Sequence, residues 1–305
     1  MSSYTPRSLL ALAAMDLLMG AQAGLVTCDS STEVLSCHNT TAVSDMCCFN
    51  YPGGSLLQVQ FWDTDPSVGP TDSWTIHGLW PDYCDGDYGE DCDTSREASD
   101  IETILEDQGR TELLEYMNTY WLSDDETANK FWAHEWNTHG TCINTIEPSC
   151  YTDYTDNEEI GDFFQEVVDL FKTLDTYTVI IFFFPLLSQS VFGVFLVTHN
   201  YLKALSDAGI TPTDDATYTL AEIQDALGDI HGGYEVTLLC DDDYLYEVYY
   251  YFNVYGSAVN GTYEPSTPLE DSDCPTKGIK YVPKSSSSKK VKRAGTSHRG
   301  RGRKA

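Results

Sequence analysis

The chain has 305 residues and is strongly acidic, with 48 Asp and Glu against 17 Lys and Arg. Nine of the basic residues follow Pro283, so residues 24–283 carry seven bases and 47 acids, a net charge of −40. Such a domain repels polyanions at neutral pH. A polyanionic ligand is therefore expected only in acid, where histidines are charged and many carboxylates are protonated. The range is long enough for one domain with a substantial core.

The first 23 residues have the features of a secretory signal peptide. Arg7 precedes an apolar stretch at residues 9–19, and the small-residue pattern Ala-Gln-Ala at 21–23 is typical of a cleavage site. We expect the mature chain to begin near Gly24. The protein should then be secreted, with an extracellular or vacuolar location.

Ten cysteines follow the expected cleavage point. Their even number and the lack of zinc-site spacing predict a disulfide framework rather than a metal site, in keeping with an oxidising compartment. The spacing by itself does not determine the pairing. Sequons at Asn39 and Asn260 predict N-glycosylation.

Hydrophobic patterning predicts an α+β domain. Three apolar segments have the length and composition of strands: residues 55–62, 235–240 and 246–255. Two segments with apolar residues at three- and four-residue spacing predict helices: residues 100–121, interrupted near Gly109, and 160–174. Another helix should carry His134 and His139 and end at Gly140.

Residues 179–197 form an uncharged apolar run of 19 residues, unusual in an acidic soluble domain. Its length permits a membrane span, but it contains Pro185 and Gly193. Removal of residues 179–203 joins LDTYT to ALSDAGITPT. These 25 residues correspond to 75 nucleotides, a length that keeps the reading frame. The segment begins with valine, whose codons start with GT, and ends with lysine, whose codon can be AAG, so both ends fit the edges of an intron. We favour a retained intron over two alternatives, a buried hairpin and a membrane anchor.

Residues 284–305 contain nine bases, no acids and a serine run, and predict a disordered tail. A plain solvated tail is the simplest interpretation. Two alternatives are that it attracts a polyanion to the acidic domain, or that Lys292-Arg293 is a processing site.

Two segments rich in tryptophan hold three histidines: WTIHGLWPDYC with His77, and FWAHEWNTHGTC with His134 and His139. Neutral and protonated imidazoles coexist in mildly acidic solution and can act as general base and general acid. Glu135 can orient a histidine or raise its pKa. His134-Glu135 resembles the start of the zinc motif H-E-x-x-H, but His139 lies at i+5, on a different helix face. We therefore predict acid–base chemistry without a metal or cofactor.

The segments IHGLWP and HEWNTHGTC closely resemble the two active-site segments of the ribonuclease T2 family, and the resemblance covers residues 28–275. It implies a single disulfide-rich α+β domain with an antiparallel sheet packed against helices. It also implies an endoribonuclease that cleaves single-stranded RNA with little base preference, through a 2′,3′-cyclic phosphate to a 3′-phosphate. His139 would be the general base and His77 the general acid. His134 would hold the phosphate, and Glu135 would stabilise the transition state.

Further assignments follow only from this resemblance. Trp80, Asp82 and Tyr88 would hold the first base, and Phe131 and Gln60 the second. The pairing of the fungal members implies the disulfides Cys28–Cys47, Cys37–Cys84, Cys48–Cys150, Cys92–Cys142 and Cys240–Cys274. Independently of the resemblance, the other histidines are interpreted as structural (His38, His199, His231 and His298), and three tryptophans as core (Trp74, Trp132 and Trp136).

Thr138 departs from the family pattern, because many relatives carry lysine directly before the second histidine of that segment. Loss of this cation predicts slower turnover. A rival interpretation is a weak or inactive glycoprotein that uses the same fold as a binding module. A membrane-tethered form would follow only if residues 179–197 belong to the mature chain. We expect a monomer.

Overall fold

The computed structural model describes residues 24–31, 33–39, 41–174, 176 and 204–284. The predicted signal peptide, the apolar run at 179–203 and residues 285–305 of the predicted tail lie outside this range. Lys284 is within it and is only 5% exposed. Its ammonium donates to the carbonyls of Val68 and Ser73, each at 2.8 Å. The prediction that the tail begins at Lys284 is therefore wrong, because this side chain is anchored in the domain.

Antiparallel strands form the framework of the domain. The strands of the described range are β1 (Gly24–Leu25), β2 (Ser55–Phe61), β3 (Thr75–Asp82), β4 (Tyr151–Thr152), β5 (Tyr218–Thr219), β6 (Thr237–Asp241), β7 (Tyr244–Tyr255), β8 (Thr262–Pro265) and β9 (Lys277–Ile279). The central sheet has the order β3-β2-β7-β6, and β8 also pairs with β7. The apolar runs predicted as strands thus become β2, β6 and β7 of this sheet.

Six α-helices lie within the described range: α1 (Ile101–Asp107), α2 (Thr111–Tyr120), α3 (Ala128–Thr138), α4 (Glu158–Thr173), α5 (Ala204–Asp207) and α6 (Leu220–Ile230). The predicted interruption near Gly109 separates α1 from α2. The helix stops where Gly140 was predicted to end it: α3 ends at Thr138, His139 is its C-cap, and Gly140 begins a 3-10 turn. A Cβ at Gly140 would collide with the ring of Trp136, so close packing is what requires glycine here.

The core lies between the helices and one face of the sheet. Buried side chains of β2 and β7, such as Leu56 and Tyr250, share one hydrophobic cluster with α1 to α4 and α6. Trp74, Trp132 and Trp136 are buried in it, as predicted. The other sheet face carries a smaller cluster that includes Leu57 and Tyr249 and packs beneath Trp80. The predicted α+β class, with helices packed on an antiparallel sheet, is confirmed. No helix of the described residues is long and apolar enough to cross a membrane.

Five disulfides close the loops around this core. Three expected pairs are present: Cys37–Cys84, Cys92–Cys142 and Cys240–Cys274. The expected pairs Cys28–Cys47 and Cys48–Cys150 are wrong, because the structure joins Cys28 to Cys48 and Cys47 to Cys150. Cys47 and Cys48 are neighbours in one 3-10 turn, so their side chains point in different directions and the local turn selects the partners. A pattern of cysteine spacing carries no information on that direction.

The residues that border the apolar run lie side by side. The backbone N–H of Leu205 donates to the carbonyl of Thr176 at 3.3 Å. The side chain of Thr176 is buried and bonded to Gln60 and Tyr250 of the central sheet. The chain therefore leaves the core and rejoins it at the same place, which is the geometry expected of an insertion.

Candidate active site

A β-bulge places His77. Val59 of β2 pairs with Gly78, and the next residue, Gln60, pairs with Ile76, so His77 is the extra residue of β3. Bulges of this kind re-aim a side chain and occur beside active sites. The imidazole lies on the sheet face opposite the main core, stacked on the ring of Phe61 at a centroid distance of 3.9 Å.

Two buried carboxylates hold the imidazole of His77. Its Nδ1 lies 2.5 Å from Oε1 of Glu247 on β7, and its Nε2 lies 3.4 Å from Oε1 of Glu135 on α3. Burial by itself would lower the pKa of His77, but the two carboxylates outweigh it and raise the pKa to about 9. His77 is therefore a cation in acidic and neutral solution.

Glu135 lies at the centre of the cluster and is completely buried. Its Oε2 accepts a hydrogen bond from Nε1 of Trp80 at 3.1 Å, while Oε1 has no hydrogen-bond partner among the described residues. Burial would raise the pKa of Glu135, yet His77, followed by His139 and His134, lowers it. A Cβ at Gly78 would collide with Oε2 of Glu135. The glycine of the IHGLWP segment thus makes room for this carboxylate.

His139 lies at the C-terminal end of α3, where its backbone N–H donates to the carbonyl of Glu135. Its ring is stacked on Trp80 at 4.8 Å, and Trp80 meets His77 edge-on at 4.7 Å. Burial is the largest influence on His139 and lowers its pKa to about 4; Glu135 opposes this shift, whereas His77 and His134 act in the same direction as burial. His139 is therefore neutral where His77 is charged.

His134 is exposed on α3, with its ring 6.4 Å from that of His139. Its Nδ1 lies 3.4 Å from the hydroxyl of Thr138, which also lies 3.4 Å from Oδ1 of Asp91. A side chain at position 138 therefore borders the cluster. In the described range, no group of three or more His, Cys, Asp and Glu side chains could hold a metal ion.

The predicted base-binding residues differ in how the structure presents them. Trp80 is half-buried, and Asp82 forms a β-bridge with Tyr88, so these three residues lie along one end of β3. Phe131 is only 5% exposed, with its ring 5.7 Å from His77. The prediction for Gln60 is wrong: its amide is fully buried and bonds Gln58, Leu174 and Thr176. A residue committed to core hydrogen bonds presents nothing to a base.

Glu247 and Phe61 contact the imidazole of His77 and were missed by sequence reasoning. A usable signal exists for Glu247. It lies on β7 in the segment YLYEVYYYF, on the same face as Tyr249 and Tyr251, where a charged residue is costly unless it has a partner. The two predicted glycosylation sites differ in the exposure of the asparagine: Asn260 is exposed, and Asn39 is half-buried.

The site contains a neutral imidazole, a protonated imidazole and a buried carboxylate that lies between the two. This arrangement, built across β3 and α3 of a disulfide-rich α+β domain, suits acid–base chemistry. The fold and this pair of imidazoles are those expected of the class predicted from the sequence, a ribonuclease. The chain belongs to the Ribonuclease T2 family, whose model matches residues 53–181 and 194–262. The gap in that match lies inside the apolar run.

Relatives with known names agree with this assignment. The chain is 60% identical to Ribonuclease M of Aspergillus phoenicis over 264 residues, which is 86% of this chain and 99% of the relative. It is 50% identical to Ribonuclease T2 of Aspergillus oryzae over 278 residues, 91% of each chain. The crystal structure of Actibind, described as a T2 ribonuclease, matches with a TM-score of 0.74 and 59% identity, covering 85% of this chain and 99% of that one. The predicted family is confirmed, and the protein is an RNA-cleaving ribonuclease.

Proposed function

We propose that the enzyme cleaves single-stranded RNA in two steps, with His139 as the base and His77 as the acid of the first step. The observation that carries this proposal is the opposite protonation of the two histidines on either side of Glu135. The pKa of His139 is lowered to about 4 and that of His77 is raised to about 9. Between these values the base is neutral and the acid is charged, as both roles require.

In the first step, neutral His139 removes the proton of the ribose 2′-hydroxyl. The 2′-oxygen bonds to phosphorus, the bond from phosphorus to the 5′-oxygen breaks, and His77 gives its proton to that oxygen. A 2′,3′-cyclic phosphate results. In the second step the roles reverse: His77 takes a proton from water, the hydroxyl attacks phosphorus, the bond between phosphorus and the 2′-oxygen breaks, and His139 gives its proton to that oxygen. The product is a 3′-phosphate.

The remaining groups act on the charge of the phosphate. His134 is exposed beside His139, which supports a role in binding a phosphoryl oxygen when protonated. Oε1 of Glu135 lies 3.4 Å from Nε2 of His77 and Oε2 accepts a hydrogen bond from Trp80, which supports a role for Glu135 in stabilising the transition state through the charged imidazole. Trp80, Asp82 and Tyr88 would receive the base before the cleaved bond, and Phe131, whose ring lies 5.7 Å from that of His77, would contact the base after it.

We also propose that the enzyme is secreted and works in acid. Five disulfides support an oxidising compartment. The acidity of the domain opposes RNA binding as pH rises, although the two histidines permit turnover up to about pH 9. The pH optimum is therefore expected near the lower limit, just above the pKa of His139.

The test is RNA cleavage by wild type, His77→Phe and His139→Phe at pH 5, with EDTA present and products separated by chromatography. Wild type should release 2′,3′-cyclic phosphates, and each variant should lose at least about a hundredfold in kcat/KM. Unfolding temperatures of the variants verify that they fold. An inactive wild type would favour the binding-module alternative, and activity lost in EDTA would contradict the metal-free mechanism.

A further inference from the structure

A groove of about 530 Å³ opens on the domain away from the catalytic histidines. Its floor is formed by the ends of β2, β7 and β8, and its walls by the loops at residues 35–38, 233–234 and 265–269. The side chains that matter for binding are His38, Ser55, Tyr234, Asn253, Tyr255 and Glu264. The disulfide Cys37–Cys84 fixes one wall.

Strand register connects this groove with the predicted first-base pocket. Ser55 pairs with Asp82 on one side and with Asn253 on the other, and Asn253 pairs with Glu264. Directly paired residues point to the same face of a sheet. A polar row therefore runs across three strand boundaries from Asp82 into the groove.

The groove lies on the catalytic face of the sheet. Tyr249, whose ring is 5.5 Å from that of Trp80, shares its strand and face with Asn253. Asn253 lies four positions after Tyr249, about 13 Å away at the rise of a β-strand. The predicted first-base pocket lies between His77 and the groove. An RNA chain that enters the site with its cleaved phosphate at His77 would therefore reach the groove with its upstream part.

The lining suits a nucleobase rather than a phosphate. Tyr234 is 44% exposed, an unusual exposure for a large ring, and Tyr255 is half-buried beside it. Exposed aromatic rings stack on unpaired bases. Asn253 and Glu264 present amide and carboxylate groups that match the exocyclic amino groups of adenine, cytosine and guanine. No Lys or Arg is among the described residues that line the groove, so it lacks the side chains that most often bind a phosphate.

We propose that this groove is an additional subsite that binds the base of the nucleotide on the 5′ side of the first-base pocket, with preference for bases that carry an amino group. The inference rests on the proposed function, because the direction of the RNA follows from the placement of the cleaved phosphate. It makes the enzyme more efficient on oligonucleotides than on dinucleotides.

The experiment compares kcat/KM at pH 5 for a dinucleotide and for the same substrate extended by one adenosine at its 5′ end. Stacking of one base on an aromatic ring predicts a gain of at least about fivefold. Tyr234→Ala and Glu264→Gln should each reduce the gain and leave dinucleotide cleavage unchanged. Tyr244→Ala, a half-buried tyrosine at the opposite end of β7, is the matched control and should keep the full gain.

Three results would overturn the inference. The first is equal kcat/KM for the two substrates. The second is a gain that survives both groove variants, and the third is an equal gain from a 5′ extension that lacks its base. In all three cases dinucleotide cleavage by wild type would still support the proposed function. Failure to cleave either substrate would refute the proposed function, and the subsite with it.

Discussion

Replacement of Glu247 by glutamine separates charge from geometry at the catalytic acid. Glutamine keeps the size of the side chain and an oxygen that can accept the Nδ1–H of His77, but it removes the negative charge at 2.5 Å. An opposite charge at such a distance shifts a pKa by roughly 1–3 units. The pKa of His77 should therefore fall from about 9 to between roughly 6 and 8.

The sign of the effect on rate follows from the role of His77 as the acid. Turnover requires its protonated form, so kcat/KM falls as pH rises through the pKa of His77. With a pKa of roughly 7 in Glu247→Gln, kcat/KM at pH 8 should be about tenfold below wild type, while at pH 5 it should be nearly unchanged. Glu247→Ala also removes the acceptor that orients the ring, and should lose activity at both pH values.

Initial rates on a dinucleotide between pH 4 and 9 measure these profiles, and NMR titration of the His77 ring reports its pKa directly. Glu115→Gln, an exposed glutamate on α2, is the matched control and should reproduce the wild-type profile. An unchanged basic limb in Glu247→Gln, together with an unchanged NMR pKa, would refute the claim that Glu247 sets the protonation of the acid. Equal activity of wild type and Glu247→Ala at pH 5 would refute its orienting role.

Three further predictions concern other parts of the chain. Thr138→Lys places a cation beside His134 and should raise the rate on RNA at pH 5 by about an order of magnitude; an unchanged rate would show that position 138 does not reach the phosphate. Gly78→Ala forces Glu135 to move, so kcat/KM should fall by roughly 10²–10³ while circular dichroism stays native, and wild-type activity would contradict this role of the glycine. Deletion of residues 179–203 should give a secreted, active enzyme with the same five disulfides; peptides from residues 182–197 in the native secreted protein would disprove the intron hypothesis.

Elements with strong periodicity were predictable from the sequence. The helix pair around Gly109, the long α4 and the strands β2 and β7 follow directly from the spacing of apolar residues. The catalytic histidines were also accessible, because imidazoles beside tryptophan and cysteine in two compact segments have few structural explanations. These features depend on local sequence alone.

Features that depend on distant contacts were not predictable. Glu247 follows His77 by 170 residues, and only the pairing of β2 with both β3 and β7 brings them together. Gln60 was assigned to a base pocket only by the family resemblance, but Thr176 and Leu174 bond it inside the core. The partner of a cysteine in an adjacent pair depends on the direction of each side chain in a turn, which spacing does not encode.

The contact between Thr176 and Leu205 has a thermodynamic consequence. A segment inserted between two residues that already touch changes folding stability mainly through the entropy of closing a longer loop. That cost grows by only about 0.6 kcal/mol for each doubling of loop length. The ribonuclease domain would therefore tolerate polypeptides of very different length and composition at this point. It is the natural place to insert a tag or a reporter domain without disturbing the catalytic face.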